Sequence, residues 1–146
     1  MSGRTLVQRF RDARAADAPQ RLVEALPYAV FIGAEARLVA ERLQVIVPFK
    51  QSLVGNPYLP AIHGGLLGGL VELAATLELI WRHETERLPK IVTTTVNFAR
   101  SGQPRDTFAR GEVTRIGRRI ATVAVEIWQE RPDRPVTTGQ AHFLLS

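Results

Sequence analysis

The sequence predicts an α+β fold in which an antiparallel sheet of about six strands wraps around one long central helix. Three observations lead there. An apolar run with helical period occupies residues 62–81, the period changes to two after Pro89, and the segments with period two are joined by short links. Such consecutive strands pair antiparallel, and one apolar helix and one sheet can bury their faces only against each other. At 146 residues the chain suffices for a single domain, 1–146, with a sizeable core. With 45% hydrophobic and 23% charged residues it reads as globular rather than disordered.

The elements follow in order. Residues 5–16 place Leu6, Val7, Phe10 and Ala13 on one face, an amphipathic helix with its arginines outward. Asp17 and Pro19 mark the start of a second helical piece through Leu26, which Pro27 ends. Residues 28–49 read as strand, with Leu43, Val45, Val47 and Phe49 alternating, and a turn near residues 40–42 makes a hairpin although no Gly or Asn marks it. Residues 50–60 form a loop punctuated by Gly55, Asn56, Pro57 and Pro60. The long helix then begins near His63. Leu66, Leu70, Leu73, Leu77 and Ile80 form its apolar stripe, and beside it runs a strip of small residues, Gly65, Gly68, Gly69, Ala75 and Thr76, that also carries Glu72. Charged residues 82–87 lead out, and Pro89 stops the helix. Residues 91–98, 108–116, 120–128 and 136–145 are the remaining strands, with a tight hairpin at Gly117-Arg118.

Charge and composition limit the function classes. Lys and Arg total 19 against 14 acids, a formal +5 that suits anionic partners. The arginines are scattered and interleaved with acids, and no aromatics alternate with them, so a nucleic-acid surface is not expected. Without cysteine there is neither a disulfide framework nor a thiolate metal site. His83 and His142 stand in no acid-rich or His-rich neighbourhood, and no metal is expected. Arg4, Arg9, Arg11 and Arg14 occupy the place where a signal peptide needs an apolar core, so the expected location is cytoplasmic. The run 62–81 is long enough for a membrane span, but His63, Glu72 and Glu78 interrupt it, and a buried core helix is the expectation.

The candidate chemistry lies in residues 56–76, NPYLPAIHGGLLGGLVELAAT. If the helix begins near His63, the Gly64 and Gly65 N–H groups lack helical partners and sit at the positive end of the dipole. They can hold the oxyanion that develops from a carbonyl. Glu72 is an acid on a face made for close approach, eight residues beyond Gly64 and so roughly 12 Å along the axis. One copy of the helix cannot bring both groups to one reacting atom. If they act together, they come from two antiparallel helices across a two-fold axis, which predicts a homodimer with two equivalent sites.

His63-Gly64-Gly65 followed by an acid at Glu72 resembles the signature of hotdog-fold acyl-CoA thioesterases, particularly the PaaI-like group of the phenylacetate pathway. The resemblance extends through VNFARSG (96–102) and Gly117-Arg118-Arg119, and covers the chain from about Tyr28. Two departures stand out. The group most often has Asp where this chain has Glu72, and its Asn is usually one residue nearer the histidine than Asn56. Glu72 with Thr76 four residues on is similar to the 4-hydroxybenzoyl-CoA thioesterases of the Arthrobacter type. The resemblance implies a hotdog fold and hydrolysis of an acyl or aromatic acyl-CoA thioester at a dimer interface. Coenzyme A enters as part of the substrate, and no other cofactor is implied.

Each candidate also has a structural reading. Glu72 is a general base or a nucleophile that forms a mixed anhydride, or else an acid satisfied by a nearby arginine. Gly64 is the oxyanion donor, with Gly65 beside it on the substrate, or both serve packing alone. His63 transfers a proton or fixes the loop. Asn56 orients the thioester or water, or caps its own turn. Thr76 is one turn from Glu72 and bonds its carboxylate, or bonds back to its own helix. Arg100, Arg118 and Arg119 are candidates for the phosphates of coenzyme A. Two rivals remain: an acyl-CoA-binding domain of the same fold without catalysis, and a basic nucleic-acid binder. Pairing of dimers into tetramers is a further possibility that the sequence leaves open.

Overall fold

Thr5 opens the first helix, α1 (Leu6–Ala15), with a reciprocal cap: its hydroxyl accepts the Gln8 N–H while the Gln8 side chain accepts the Thr5 N–H. The computed structural model describes residues 5–85 and 87–145; Arg4 of the arginine-rich start and Glu86 of the charged exit lie outside them. Asp17 does not cap the next helix. It adopts a left-handed conformation, φ 52°, that turns the chain after α1, and Pro19 precedes the short α2 (Gln20–Glu24) instead.

The segment read as the start of a strand is a third helix, α3 (Pro27–Ile32), with Pro27 in its first turn and left-handed Gly33 at its end. Pro at the head and Gly past the tail outweigh the β preference of the residues between them. Strands β1 (Glu35–Val39) and β2 (Arg42–Val47) then form the expected hairpin. Ala40 and Glu41 both take positive φ, 51° and 65°, so the turn has primed geometry without the residues that usually supply it.

The central helix, α4 (Gly64–Arg82), begins and ends close to its predicted limits. Its leucine stripe is buried, each side chain contributing roughly 1.5–3 kcal/mol of transfer free energy. The Arg14 guanidinium donates to the carbonyls of Ile80 and His83 at 2.6 and 3.2 Å, which ties α1 to the C-terminal end of α4. By length and hydropathy α4 could cross a membrane, but 61% of its apolar window is buried within the protein.

Strands β3 (Lys90–Phe98), β4 (Thr107–Ile116), β5 (Ile120–Trp128) and β6 (Thr137–Leu144) complete a six-stranded antiparallel sheet of order β1-β2-β4-β5-β6-β3. With the sheet curled around α4, this is the hotdog architecture. Although consecutive in sequence, β3 and β4 are not neighbours. The chain leaves α4 at the far edge, where β3 pairs with β6, and the link 99–106 carries it back across the end of the sheet.

Two strand glycines set how closely the helix lies. Gly111 and Gly139 both face Val125 in register. A Cβ on Gly139 would come within 2.6 Å of Val71 Cγ1, and one on Gly111 within 2.9 Å of Glu78 Cβ. The sheet is therefore thinned where α4 crosses it.

Candidate active site

The head of α4 is fixed from both sides. The His63 N–H donates to the Leu53 carbonyl and the Ile62 N–H to the Gly102 carbonyl, both at 2.9 Å. The His63 ring then caps the helix, its Nδ1 accepting the Gly65 N–H at 2.8 Å. This contact needs glycine at 65, because a Cβ there would stand 2.8 Å from the same ring nitrogen. The Leu66 and Leu67 N–H groups turn back to the His63 carbonyl. Of the amides at the helix start, that of Gly64 alone has no acceptor among the described residues, and it is exposed. The two glycines thus divide the work: Gly65 admits the cap, and Gly64 offers the free donor expected of an oxyanion site. His63 is committed to capping through Nδ1 and so fixes the loop.

Glu72 lies two turns along on the same side as Gly64. The face of β3 toward the helix matches it in antiparallel steps: Phe98 lies 3.6 Å from the Cβ position of Gly64, Val96 3.9 Å from that of Gly68, and the Thr94 hydroxyl donates to Glu72 Oε1 at 3.3 Å. Four helical residues rise about 6 Å and two strand residues about 6.8 Å, so the two ladders stay in step over this length. Thr94 therefore holds the carboxylate. Thr76 does not, because its hydroxyl donates to the Glu72 backbone carbonyl at 2.8 Å. Within one chain the Glu72 side chain is exposed, and the buried acid of α4 is Glu78, bonded by Arg82. Burial holds the Glu78 carboxyl above its usual range, opposed by the neighbouring Arg82 and Arg42 charges and reinforced by Glu112.

The other candidates separate. Asn56 Oδ1 accepts the Tyr58 N–H at 2.9 Å, which makes its own turn. From Gly64 a surface groove runs past Phe98 and Ser101 to Arg100 and continues to Arg105 and Arg134. Arg100 donates to the Pro135 carbonyl at 2.7 Å, and Arg105 pairs with Glu130 at 3.3 Å. Gln129 clamps the β3–β4 link by bonding both backbone groups of Gln103. Arg118 and Arg119 sit in the β4–β5 turn at the opposite end of the sheet, so one chain does not bring them to Arg100 or Gly64. Among the described residues no group of three His, Cys, Asp or Glu is placed to hold a metal ion.

Three residues escaped the sequence reading. Thr94 needed the helix–strand register, which no periodicity reveals. Arg105 and Arg134 were within reach, because an antiparallel sheet puts the links 99–106 and 129–136 at the same end.

Compared with known proteins, residues 56–144 match the family model described as the acyl-CoA thioesterase N-terminal domain. The chain belongs to the acyl-CoA thioesterase family. A Chromobacterium violaceum protein of known structure is 38% identical over 95% of this chain and 97% of its own, with a TM-score of 0.80. A phenylacetic acid degradation-related protein from Ralstonia eutropha is 21% identical, covering 93% and 98% of the two chains, with a TM-score of 0.74. A Bacillus halodurans protein whose structure was determined with CoA is 17% identical, covering 97% and 91%, with a TM-score of 0.72. No curated protein matches. The acyl-CoA thioesterase match takes in Gly64, Glu72, Thr94 and the arginine groove, but begins beyond Tyr28.

Proposed function

We propose that the chain is a cytoplasmic homodimeric thioesterase that hydrolyses an acyl or aromatic acyl-CoA thioester to the free acid and coenzyme A. The observation that carries this reading is the single unpaired amide of Gly64 at the head of α4, with the exposed Glu72 two turns beyond it. Roughly 12 Å of helix separates them, so each site takes Gly64 from one subunit and Glu72 from the other. The Gly64 N–H polarises the thioester carbonyl. Glu72 either removes a proton from water as the water oxygen bonds to the carbonyl carbon, or bonds there itself and is released when water cleaves the anhydride. In both cases the C–S bond breaks, and the sulfur leaves as thiolate and is protonated. Neither metal nor redox cofactor takes part.

Arg100, Arg105 and Arg134 would receive the phosphates of coenzyme A, since their groove begins beside Gly64. The CoA-containing structure of the Bacillus halodurans protein supports that substrate class. The dimer is supported by β3, an edge strand with one unpaired side and with Val92 and Phe98 56% and 59% exposed. The test is Glu72→Gln assayed against a panel of acyl-CoAs with a thiol reagent. Thiol release should fall at least about a hundredfold with the fold and oligomeric state unchanged. Full turnover by this variant removes the mechanism, and tight binding by the wild type without thiol release favours a non-catalytic binding domain.

A further inference from the structure

The loop that leads into α4 is closed on itself, yet it holds two large apolar side chains in solvent. Its ends are joined by the Val54–Ile62 bridge and by the Gly55 N–H, which donates to the Ala61 carbonyl at 2.9 Å. A Cβ on Gly55 would stand 3.0 Å from the His63 ring and 3.1 Å from its Cα, so the base of the loop packs directly on the residue that caps the helix. Pro57 and Pro60 restrict the backbone between these ends, and Asn56 holds the turn through the Tyr58 N–H. At the tip, Tyr58 and Leu59 are 91% and 73% exposed. A second apolar patch lies on α3, where the exposed rings of Tyr28 and Phe31 stack with centroids 6.5 Å apart. Tyr28 lines, with Leu26, Ile91, Glu72 and Thr76, a cavity of about 370 Å³. Exposed apolar groups gathered in this way mark an interaction surface.

Within one chain the loop and the cavity do not meet. The loop adjoins Gly64, whereas Glu72 and Thr76 lie roughly 12–18 Å down the helix. The two-fold symmetry of the proposed shared site removes that separation, and the inference rests on it. Antiparallel helices with Gly64 opposite the partner's Glu72 bring the chain before Gly64 alongside the residues after Glu72 in the partner, so Pro60 falls near the partner's Thr76. The ladder along β3 obeys the same symmetry: Phe98, which packs at Gly64, then faces the partner's Thr94, which bonds Glu72, across the open edge of the sheet. The loop tip thus arrives at the partner's cavity, and residues 55–60 carry no charge that would oppose the fit. We infer that Tyr58 and Leu59 of each subunit cover the apolar cavity of its partner, against Tyr28. One subunit then supplies the oxyanion amide and the cover, and the other supplies the acid and the cavity walls.

The chain has no cysteine, so introduced thiols report this contact alone and need no enzymatic activity. Leu59→Cys and Tyr28→Cys chains, made separately, are unfolded and refolded together and treated with a short bismaleimide. The mixture should yield a covalent dimer containing up to about half of the chains, since half the dimers are mixed and each holds one such pair. Neither variant alone should cross-link. Nor should Leu59→Cys mixed with Val39→Cys, because β1 is the far edge of the sheet from β3. No covalent dimer in a mixture whose heterodimers are seen by mass spectrometry overturns the assignment and leaves the sharing of Gly64 and Glu72 standing, whereas a chain that forms no dimer removes both. Leu59→Ser should also lower kcat/KM on the acyl-CoA that the wild type hydrolyses fastest by about tenfold, with the dimer intact, and Leu59→Met should restore most of it. Unchanged turnover by Leu59→Ser overturns the covering role.

Discussion

Glu78 and Glu72 stand on one helix six residues apart, and their surroundings give them opposite tasks. Glu78 is enclosed between α4 and the sheet, where Arg82 Nε donates to it at 3.0 Å. Its carboxyl titrates above the ordinary value, so between the unfolded and folded values the native state holds the proton that the unfolded chain has released. Stability from this group is therefore present below about pH 4.5 and is lost as pH rises through the raised value. Glu78→Gln keeps an acceptor for Arg82 and removes the ionisation. Urea melts of this variant from pH 4 to 8 should lose the decline and leave it at least as stable as the wild type at neutral pH. A variant that is weaker at pH 8 than at pH 4 contradicts that account. At this scale the sequence showed residue types better than surroundings. His-Gly-Gly with a following acid was legible because the spacing is local. Which of the two acids is enclosed, and whether Thr76 or Thr94 reaches the carboxylate, depend on the partner strand, which sequence spacing does not disclose.

The pairing of α4 with β3 rests on a coincidence of rises, and its closeness rests on the glycines of the neighbouring strands. Gly139 sits beneath Val71, where an added methyl would need more than half an ångström of movement from a buried side chain. Gly139→Ala should cost about 1–3 kcal/mol by overpacking, measured by chemical denaturation. Val71→Ala introduced with it should recover part of that loss, which distinguishes steric conflict from any effect on strand propensity. No recovery in the double variant would mean that the Thr95 carbonyl, 2.9 Å from the same position, dominates the cost. Element existence was legible wherever the hydrophobic period was long and uniform, as in α4, β4 and β5. It failed at residues 27–32, where two flanking residues outweigh the propensities of the five within; β3 was legible as a strand, but its place in the sheet was not, because that is set by where α4 delivers the chain. The β1–β2 turn was placed correctly from strand alternation alone, since Ala40 and Glu41 carry no turn signal.

At the scale of the molecule, a shared site makes a prediction that no single chain can meet. Gly64 is the first residue of α4, where proline is tolerated, and His63 with ψ 131° already has the backbone that precedes proline. Gly64→Pro should therefore delete the proposed donor and leave the helix standing. Dimers of this variant, and dimers of Glu72→Gln, should each be inactive. Unfolded together and refolded, they should regain activity up to about one quarter of the wild type, since half the dimers are mixed and each carries one intact site of two. No recovery in a mixture whose heterodimers are shown by mass spectrometry would mean that the two groups do not share a substrate. The strip that carries Gly68 and Glu72 was legible in the sequence, whereas the separation of the arginine groove from an apolar cavity lined by Leu26, Pro27, Leu73 and Ile91 beside Glu72 was not, because it arises from links and helices distant along the chain. That separation bears on the order of events after bond cleavage. In the proposed reaction the newly formed acid would lie beside Glu72, where no cation is among the described lining residues, and two carboxylates about 4 Å apart repel by about 4 kcal/mol at an effective dielectric of about 20. The nucleotide end lies among guanidinium groups. The proposed reaction would then release its products unequally, with the acid expelled first and the thiol carrier, still tethered by its phosphates, setting the pace of the next turnover.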